Sequence, residues 1–344
     1  MRRAWAKPST GASAGARRAV EFRGGADREA AAVAAWRAAP AAERRAAAAA
    51  ALEADAGDAE AAFALYEAED ELGDEQAALA ALRATLAADN GHKAAARLLA
   101  AAEGGAAAAA AAAADTEGAA EYARQIFDGY AATFDEHLTE TLKYAVPARL
   151  VEAADAVYVM AASSEATSES SELPRYACVI DAGCGTGLSG EPLHGRVGTL
   201  TGIDVSAKML DVARAKGLYT ELVCDDLVAA LKPIDAATCD LLLSADTLMY
   251  VGALEAFFEQ AARVVRPGGL LAFSVESAER AAGVEAGEEG LALQASGRFA
   301  HTRQYIQKLA VPDVWETAAE AVDIVGRMDG EQAVYATLHV LRRR

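Results

Sequence analysis

The stretch Ile180-Asp181-Ala182-Gly183-Cys184-Gly185-Thr186-Gly187 constrains this chain more than any other. An apolar run, Ala177–Asp181, ends in an acid, and three glycines follow at alternate positions. The run is short and β-branched at Val179 and Ile180, so it reads as a buried strand. A loop without side chains lets a ligand lie on the backbone, next to the free N–H groups of the following helix. Similar runs lie at Val197–Asp204, Glu221–Cys224, Asp240–Ser244 and Leu270–Val275, with helical patterns between them, for example Ala253–Val265. Strand–helix alternation predicts an α/β fold: a doubly wound, mostly parallel sheet with helices on both faces. Near the end, Val322–Met328 and Ala333–Leu341 flank Asp329-Gly330, a hairpin signal, so the last strand should be antiparallel.

Composition sets the rest of the frame. The chain has 344 residues, 32 basic against 51 acidic, for a net charge of −19. That acid surplus argues against nucleic acid as a partner. No run is apolar and long enough for a membrane span, the nearest being the nine alanines Ala106–Ala114. Cys178, Cys184, Cys224 and Cys239 form no C-x-x-C pair and no cluster of metal-ligand spacing, so no metal is expected. They read as reduced thiols of an intracellular protein.

Four zones follow. Residues 1–24 hold six basic groups against Glu21 alone, the make-up of a disordered terminus or a transit peptide. The expected location is cytoplasmic, or organellar if this segment is a transit peptide. Residues 25–102 are alanine-rich and read as helical throughout. Residues 103–117 read as an alanine/glycine linker, at most transiently helical, and 118–344 as the α/β domain. A second low-complexity piece, Ala161–Glu172, reads as an exposed loop.

Other strand ends add acids. Asp204 closes the second strand, with Ser206 as a helix cap and Met209 one turn on. Asp225 and Asp226 follow the third strand, Asp246 lies beyond the fourth, and Arg266-Pro267-Gly268-Gly269 leads into the fifth. Gly185-Thr186-Gly187-Leu188-Ser189-Gly190 also satisfies the dinucleotide pattern G-x-G-x-x-G literally. That fold wants its ribose acid about 20 residues on. Asp204 follows Gly190 too closely for that, which disfavours a nicotinamide-dependent oxidoreductase.

Taken in order over 181–276, these motifs resemble class I S-adenosylmethionine-dependent methyltransferases. The resemblance implies a Rossmann-like, seven-stranded sheet and S-adenosyl-L-methionine as cofactor. Asp181, Gly183, Gly185 and Gly187 would form its seat, Asp204 would take the ribose hydroxyls, Met209 the adenine face and Asp226 the adenine amino group. Asp246 and His301 are the candidates for acid/base work or acceptor binding, with Arg298 a possible partner for an acidic acceptor. Tyr122–Leu138 resembles the lid helix of ubiquinone- and biotin-pathway methyltransferases, and Tyr130 is its candidate for the sulfonium.

Within the helical zone, Ala59–His92 reads helix, turn at Leu72-Gly73-Asp74, helix, and Ala51–Asp55 is echoed by Thr85–Asp89. Length and order resemble the tetratricopeptide repeat, a helix–turn–helix unit with a period of about 34 residues. The whole order is similar to predicted methyltransferases that carry such repeats in front, acting on a small-molecule acceptor. The repeats imply either a protein partner or a helical cap. A repeat scaffold with an idle methyltransferase domain is the alternative from another class.

Overall fold

The computed structural model describes residues 36, 39–104, 106–131, 134–136, 144–163, 176–281, 286–287, 289–329 and 332–344. The basic segment 1–24, most of Ala161–Glu172, His137 and Leu138 of the lid motif, and Gly330 of the hairpin lie outside these residues. The chain divides into two units. The first comprises Met1–Phe134, Leu293–Arg298 and Asp329–Glu331, and the second Asp135–Ala292, Phe299–Met328 and Gln332–Arg344.

The first unit is helical: α1 Ala41–Ala54, α2 Ala59–Leu72, α3 Glu75–Ala88, α4 Lys93–Glu103, α5 Ala106–Ala114 and α6 Thr116–Tyr130. The pair α3–α4 repeats the pair α1–α2 in order. Glu75 follows Ala41, and Lys93 follows Ala59, at one and the same offset. Alanine favours each helix, and acids start them: Asp58, Asp74 and Asp115 accept from the N–H groups of Ala61, Ala77 and Gly118. Gly73 ends α2 in the left-handed region at φ 79°. Phe63, Tyr66, Leu82 and Leu98 are buried among small alanines.

Two expectations change here. The alanine run of the expected linker is the helix α5, since nothing in it competes with helix formation. The boundary expected after residue 117 lies at Phe134, and Leu293–Arg298 joins the helices. The reason is a set of buried polar contacts. Arg97 Nε donates to the Gly297 carbonyl at 2.7 Å, and the Tyr122 hydroxyl donates to the Ser296 carbonyl at 2.9 Å. The Arg97 guanidinium also lies 4.6 Å over the Tyr122 ring.

The second unit is the expected α/β fold, but its sheet has nine strands among the described residues where seven were expected, because two three-residue strands, Leu291–Leu293 and Phe299–His301, extend it. A helix α7, Val146–Ser163, precedes the strands β1 Tyr176–Ala182, β2 Val197–Asp204, β3 Glu221–Cys224, β4 Cys239–Ser244 and β5 Val265–Ser277. Then come β6 Leu291–Leu293, β7 Phe299–His301, β8 Trp315–Asp329 and β9 Gln332–Arg343. β1 pairs in parallel with β2 and β4, β2 with β3, and β4 with β5. β9 runs antiparallel to β5, as expected of the last strand, and also pairs with β8. The path β3-β2-β1-β4-β5 therefore reverses direction at β1. In such sheets, ligands bind beyond the carboxyl ends of the strands at that reversal.

Helices α8 Ala207–Lys216, α9 Leu227–Leu231, α10 Leu248–Val251, α11 Glu255–Val264 and α12 Arg303–Leu309 complete the unit. α7 covers one face of the sheet with Val146, Leu150, Val151 and Val157 against Val179, Leu241, Leu270 and Leu338. Phe258 of α11 packs edge-on against Phe273 at 5.5 Å. Among the described residues no helix is long and apolar enough to cross a membrane.

Replacing Arg97 with alanine should destabilise α6 and Leu293–Arg298 by about 2 kcal/mol, because the charged donor to Gly297 is lost from a buried position. Denaturant unfolding, with hydrogen exchange over 116–130, reads this. An unchanged midpoint and unchanged exchange would contradict the assignment of these segments to one unit.

Candidate active site

The glycine loop leaves β1 at the point of reversal. β1 and β2 end level, with Ala182 paired to Ile203, so the Ile203 carbonyl accepts from Gly183 N at 2.7 Å and from Cys184 N at 2.9 Å. Gly183 is left-handed at φ 83°, and a Cβ there would overlap the Thr247 side chain. The backbone and the β4 exit are that close, so no other residue fits. Gly185 is also left-handed, at φ 53°, but open space lies where its Cβ would be. Gly187 follows at φ 93°, against the Tyr219 ring.

Three carboxylates stand at or just past the strand ends on this side of the sheet, Asp181, Asp204 and Asp226. Asp204, at the end of β2, accepts from Gly185 N at 2.9 Å through Oδ2 and from Ser206 N at 2.8 Å through Oδ1. Asp226 caps α9, its Oδ1 accepting from Val228 N and Ala229 N. Its neighbour Asp225 is exposed and accepts from Asp226 N. Asp181, fully buried, differs from both. Oδ2 accepts from the Tyr219 hydroxyl at 2.6 Å, while Oδ1 has no hydrogen-bond partner among the described residues. Burial pushes the Asp181 carboxyl up to about 7, against the Tyr219 hydrogen bond and with the help of the Asp204 charge.

Asp246 lies at the β4 exit in a left-handed conformation, φ 49°. Ser274 of β5 holds it there: the Asp246 N–H donates to Ser274 Oγ at 2.7 Å, and Ser274 Oγ donates to Asp246 Oδ1 at 3.0 Å. Aspartate tolerates this backbone better than most residues, and a doubly bonded partner offsets the strain. His301 is the last residue of β7 and almost fully buried. Its Nε2 faces the Gly252 carbonyl at 2.8 Å, so Nε2 carries the hydrogen and Nδ1 is a buried acceptor without a hydrogen-bond partner among the described residues. Burial lowers its pKa to about 4. The helix beyond is capped instead by Thr302, whose hydroxyl accepts from Tyr305 N.

The structure thus brings Asp181, Gly183, Gly185, Gly187 and Asp204 together around one loop. Met209, expected against a ligand's flat face, is completely covered and offers no exposed surface, because it points into the interior beneath α8. Tyr130 is half-buried on α6 of the first unit, and Arg298 is buried there as well.

Several site groups carry no signal in the sequence. Tyr219 stands between α8 and β3 without any motif around it. Tyr144 stands before α7; burial raises its pKa well above the usual range, with the charge of Asp246 adding to that and Arg327 opposing it. Arg327 itself is buried in an ion pair with Glu276. Among the described residues no group of three or more metal-ligating side chains could hold an ion.

Residues 180–273 match a family model described as a methyltransferase domain. A ubiquinone biosynthesis O-methyltransferase of Rhizobium leguminosarum bv. trifolii is 34% identical over 100 residues, covering 27% of this chain and 38% of the relative. A malonyl-[acyl-carrier protein] O-methyltransferase of Salmonella typhimurium is 35% identical over 100 residues, covering 29% and 39%. The chain therefore spans about two fifths of the length of these curated relatives. The N-methyltransferase NodS of Bradyrhizobium japonicum, solved with S-adenosyl-L-homocysteine, is 20% identical over 49% of this chain and 79% of its own. Its TM-score of 0.38 is too low to bear on shape.

The raised pKa of Asp181 has a stability consequence. The folded protein holds this proton to about pH 7, whereas the unfolded chain releases it near 4, so burial of Asp181 costs stability increasingly as pH rises between those values. Asp181→Asn should therefore gain on the wild type from pH 4 to pH 7, by on the order of 3 kcal/mol in all, and level off above. Urea unfolding across that range measures it. A difference independent of pH would mean that Asp181 ionises normally.

Proposed function

We propose that the second unit is an S-adenosylmethionine-dependent methyltransferase acting on a small-molecule acceptor, and that the helical unit in front is of the tetratricopeptide type. Asp181 carries the first part. A fully buried carboxylate oxygen without a hydrogen-bond partner among the described residues, beside Gly183, where there is room only for backbone, calls for a cationic group. The α-ammonium of the methionine moiety supplies one. The match of residues 180–273 to a methyltransferase domain supports the same reading. The equal offset between the two helix pairs, α1–α2 and α3–α4, supports the second part.

The residues present fit the cofactor. Asp204 keeps acceptor capacity for the ribose hydroxyls beyond the two N–H groups that it holds, since a carboxylate has about four acceptor sites. Asp226 offers the adenine amino group an acceptor in the same way. Open space at Gly185 leaves the backbone accessible. The cofactor, when bound, would supply an electrophilic methyl group on a sulfonium, with the thioether as its leaving group. The protein's part is to align the acceptor and exclude water.

On the acceptor side we assign Asp246, fixed by Ser274, together with Tyr144 and the Arg327–Glu276 pair. Asp246 is the group that takes a proton from a hydroxyl acceptor. His301 stays neutral at pH 7 and holds the segment after β4 through the Gly252 carbonyl, which makes it a positioning residue. The two relatives named above methylate oxygen by name, and oxygen is the acceptor atom we infer here.

The test is incubation with methyl-labelled S-adenosylmethionine and a panel of phenols and carboxylic acids. Label should pass to at least one class. Asp204→Ala should weaken cofactor binding about tenfold or more, because hydrogen bonds to a charged acceptor are worth roughly 1.5–3 kcal/mol each. No transfer to any acceptor, with an unchanged dissociation constant in Asp204→Ala, would overturn the reading.

A further inference from the structure

Thr186 occupies the middle of the glycine loop, between two left-handed glycines, and is fully buried. Its hydroxyl donates to Asp135 Oδ1 at 2.5 Å. The other oxygen, Asp135 Oδ2, lies 2.7 Å from the ammonium of Lys216, the last residue of α8. Lys216 in turn reaches Glu191 Oε1 at 2.9 Å, just past the loop. These four side chains run in an unbroken line from the loop, through the residue that opens the second unit, to the turn at Glu191.

We propose that Asp135 is a positioning residue of the cofactor site: it clamps Thr186 so that the glycine loop is held in its binding shape before the cofactor arrives. The proposal rests on the loop being the cofactor seat. Its physical basis is entropy. Glycines lose more backbone freedom on ordering than any other residue, and three of them lie within five positions. A loop left free would have to be ordered by the ligand, at the expense of affinity.

Asp204 grips the loop at the Gly185 N–H, and Asp135 grips the next residue by its side chain. The hydroxyl–carboxylate bond is charge-assisted, the stronger class of hydrogen bond. Lys216 holds the second oxygen and so keeps the Asp135 carboxylate from turning away. Asp135 touches no reacting atom, so its effect falls on binding.

The test measures S-adenosylhomocysteine binding by calorimetry in Asp135→Ala, Thr186→Val, Thr186→Ser, Lys216→Met and the Asp135→Ala/Thr186→Val double variant. Hydrogen exchange at residues 185–187 is followed without ligand. Asp135→Ala and Thr186→Val should each weaken binding about tenfold. The double variant should be no weaker than the weaker single variant, because both break one link. Thr186→Ser keeps the hydroxyl and should bind within about twofold of wild type. Lys216→Met, at a helix end, serves if the other variants fold poorly, and should weaken binding about threefold. Without ligand, amides 185–187 should exchange about tenfold faster in Asp135→Ala.

Additive losses, failure of Thr186→Ser to restore binding, or unaltered exchange at 185–187 would overturn the clamp while leaving the cofactor seat intact. A wild-type chain that binds no S-adenosylhomocysteine, yet loses exchange protection in Asp135→Ala, would overturn the cofactor seat and with it the clamp's role in binding.

Discussion

The Asp204 carboxylate is the point on which the carboxyl edge of the sheet depends. One oxygen holds the Gly185 N–H and the other the Ser206 N–H, so a single side chain joins the glycine loop to the start of α8. Ser206 then caps that helix by accepting from Met209 N at 3.1 Å. The Ile203 carbonyl, one residue earlier, takes the two preceding loop N–H groups. Four backbone donors that would otherwise be orphaned are thus satisfied within two residues of β2. The loop can then be rich in glycine, and shaped for a ligand, without fraying into solvent.

Asp181 stands in contrast. It is buried as deeply as any core residue, yet only one of its oxygens is satisfied. An unpaired charge in such a place is unfavourable for the fold alone. The protein tolerates it because Tyr219 supports one oxygen and because protonation remains available up to about pH 7. Buried groups with displaced pKa values gather at functional sites for this reason: the environment that penalises the charge is the one that rewards a matching ligand. The opposite edge of the sheet shows the ordinary solution. There, Asp240 accepts from Ala177 N and Cys178 N and pairs with Arg266, leaving nothing unsatisfied.

Much of the sheet is legible in the sequence because its strands are apolar runs that stop at acids. Val197–Asp204 and Glu221–Cys224 have the bounds that alternation predicts. β5 is longer than Leu270–Val275 because Val265 already pairs with Cys239. The intervening Arg266–Gly269 is then passed over by a register shift before Leu241 meets Leu270. β6 and β7 have three residues each, too few to show a period, so nothing marks His301 as a strand end. The contacts that complete the site are long in sequence: Tyr219 to Asp181, Asp135 to Thr186, and His301 to Gly252. No local pattern encodes such pairs. The stretch 103–117 differs from its linker reading for the opposite reason, since low complexity in alanine is itself a strong helix signal.

The central claim is that the loop after β1 seats S-adenosylmethionine and not a nicotinamide dinucleotide. Calorimetric titration of the purified chain with S-adenosylhomocysteine and, separately, with NADH tests it most directly. The account predicts one saturable site for S-adenosylhomocysteine and no heat of binding for NADH. Saturable binding of NADH with none of S-adenosylhomocysteine would contradict it.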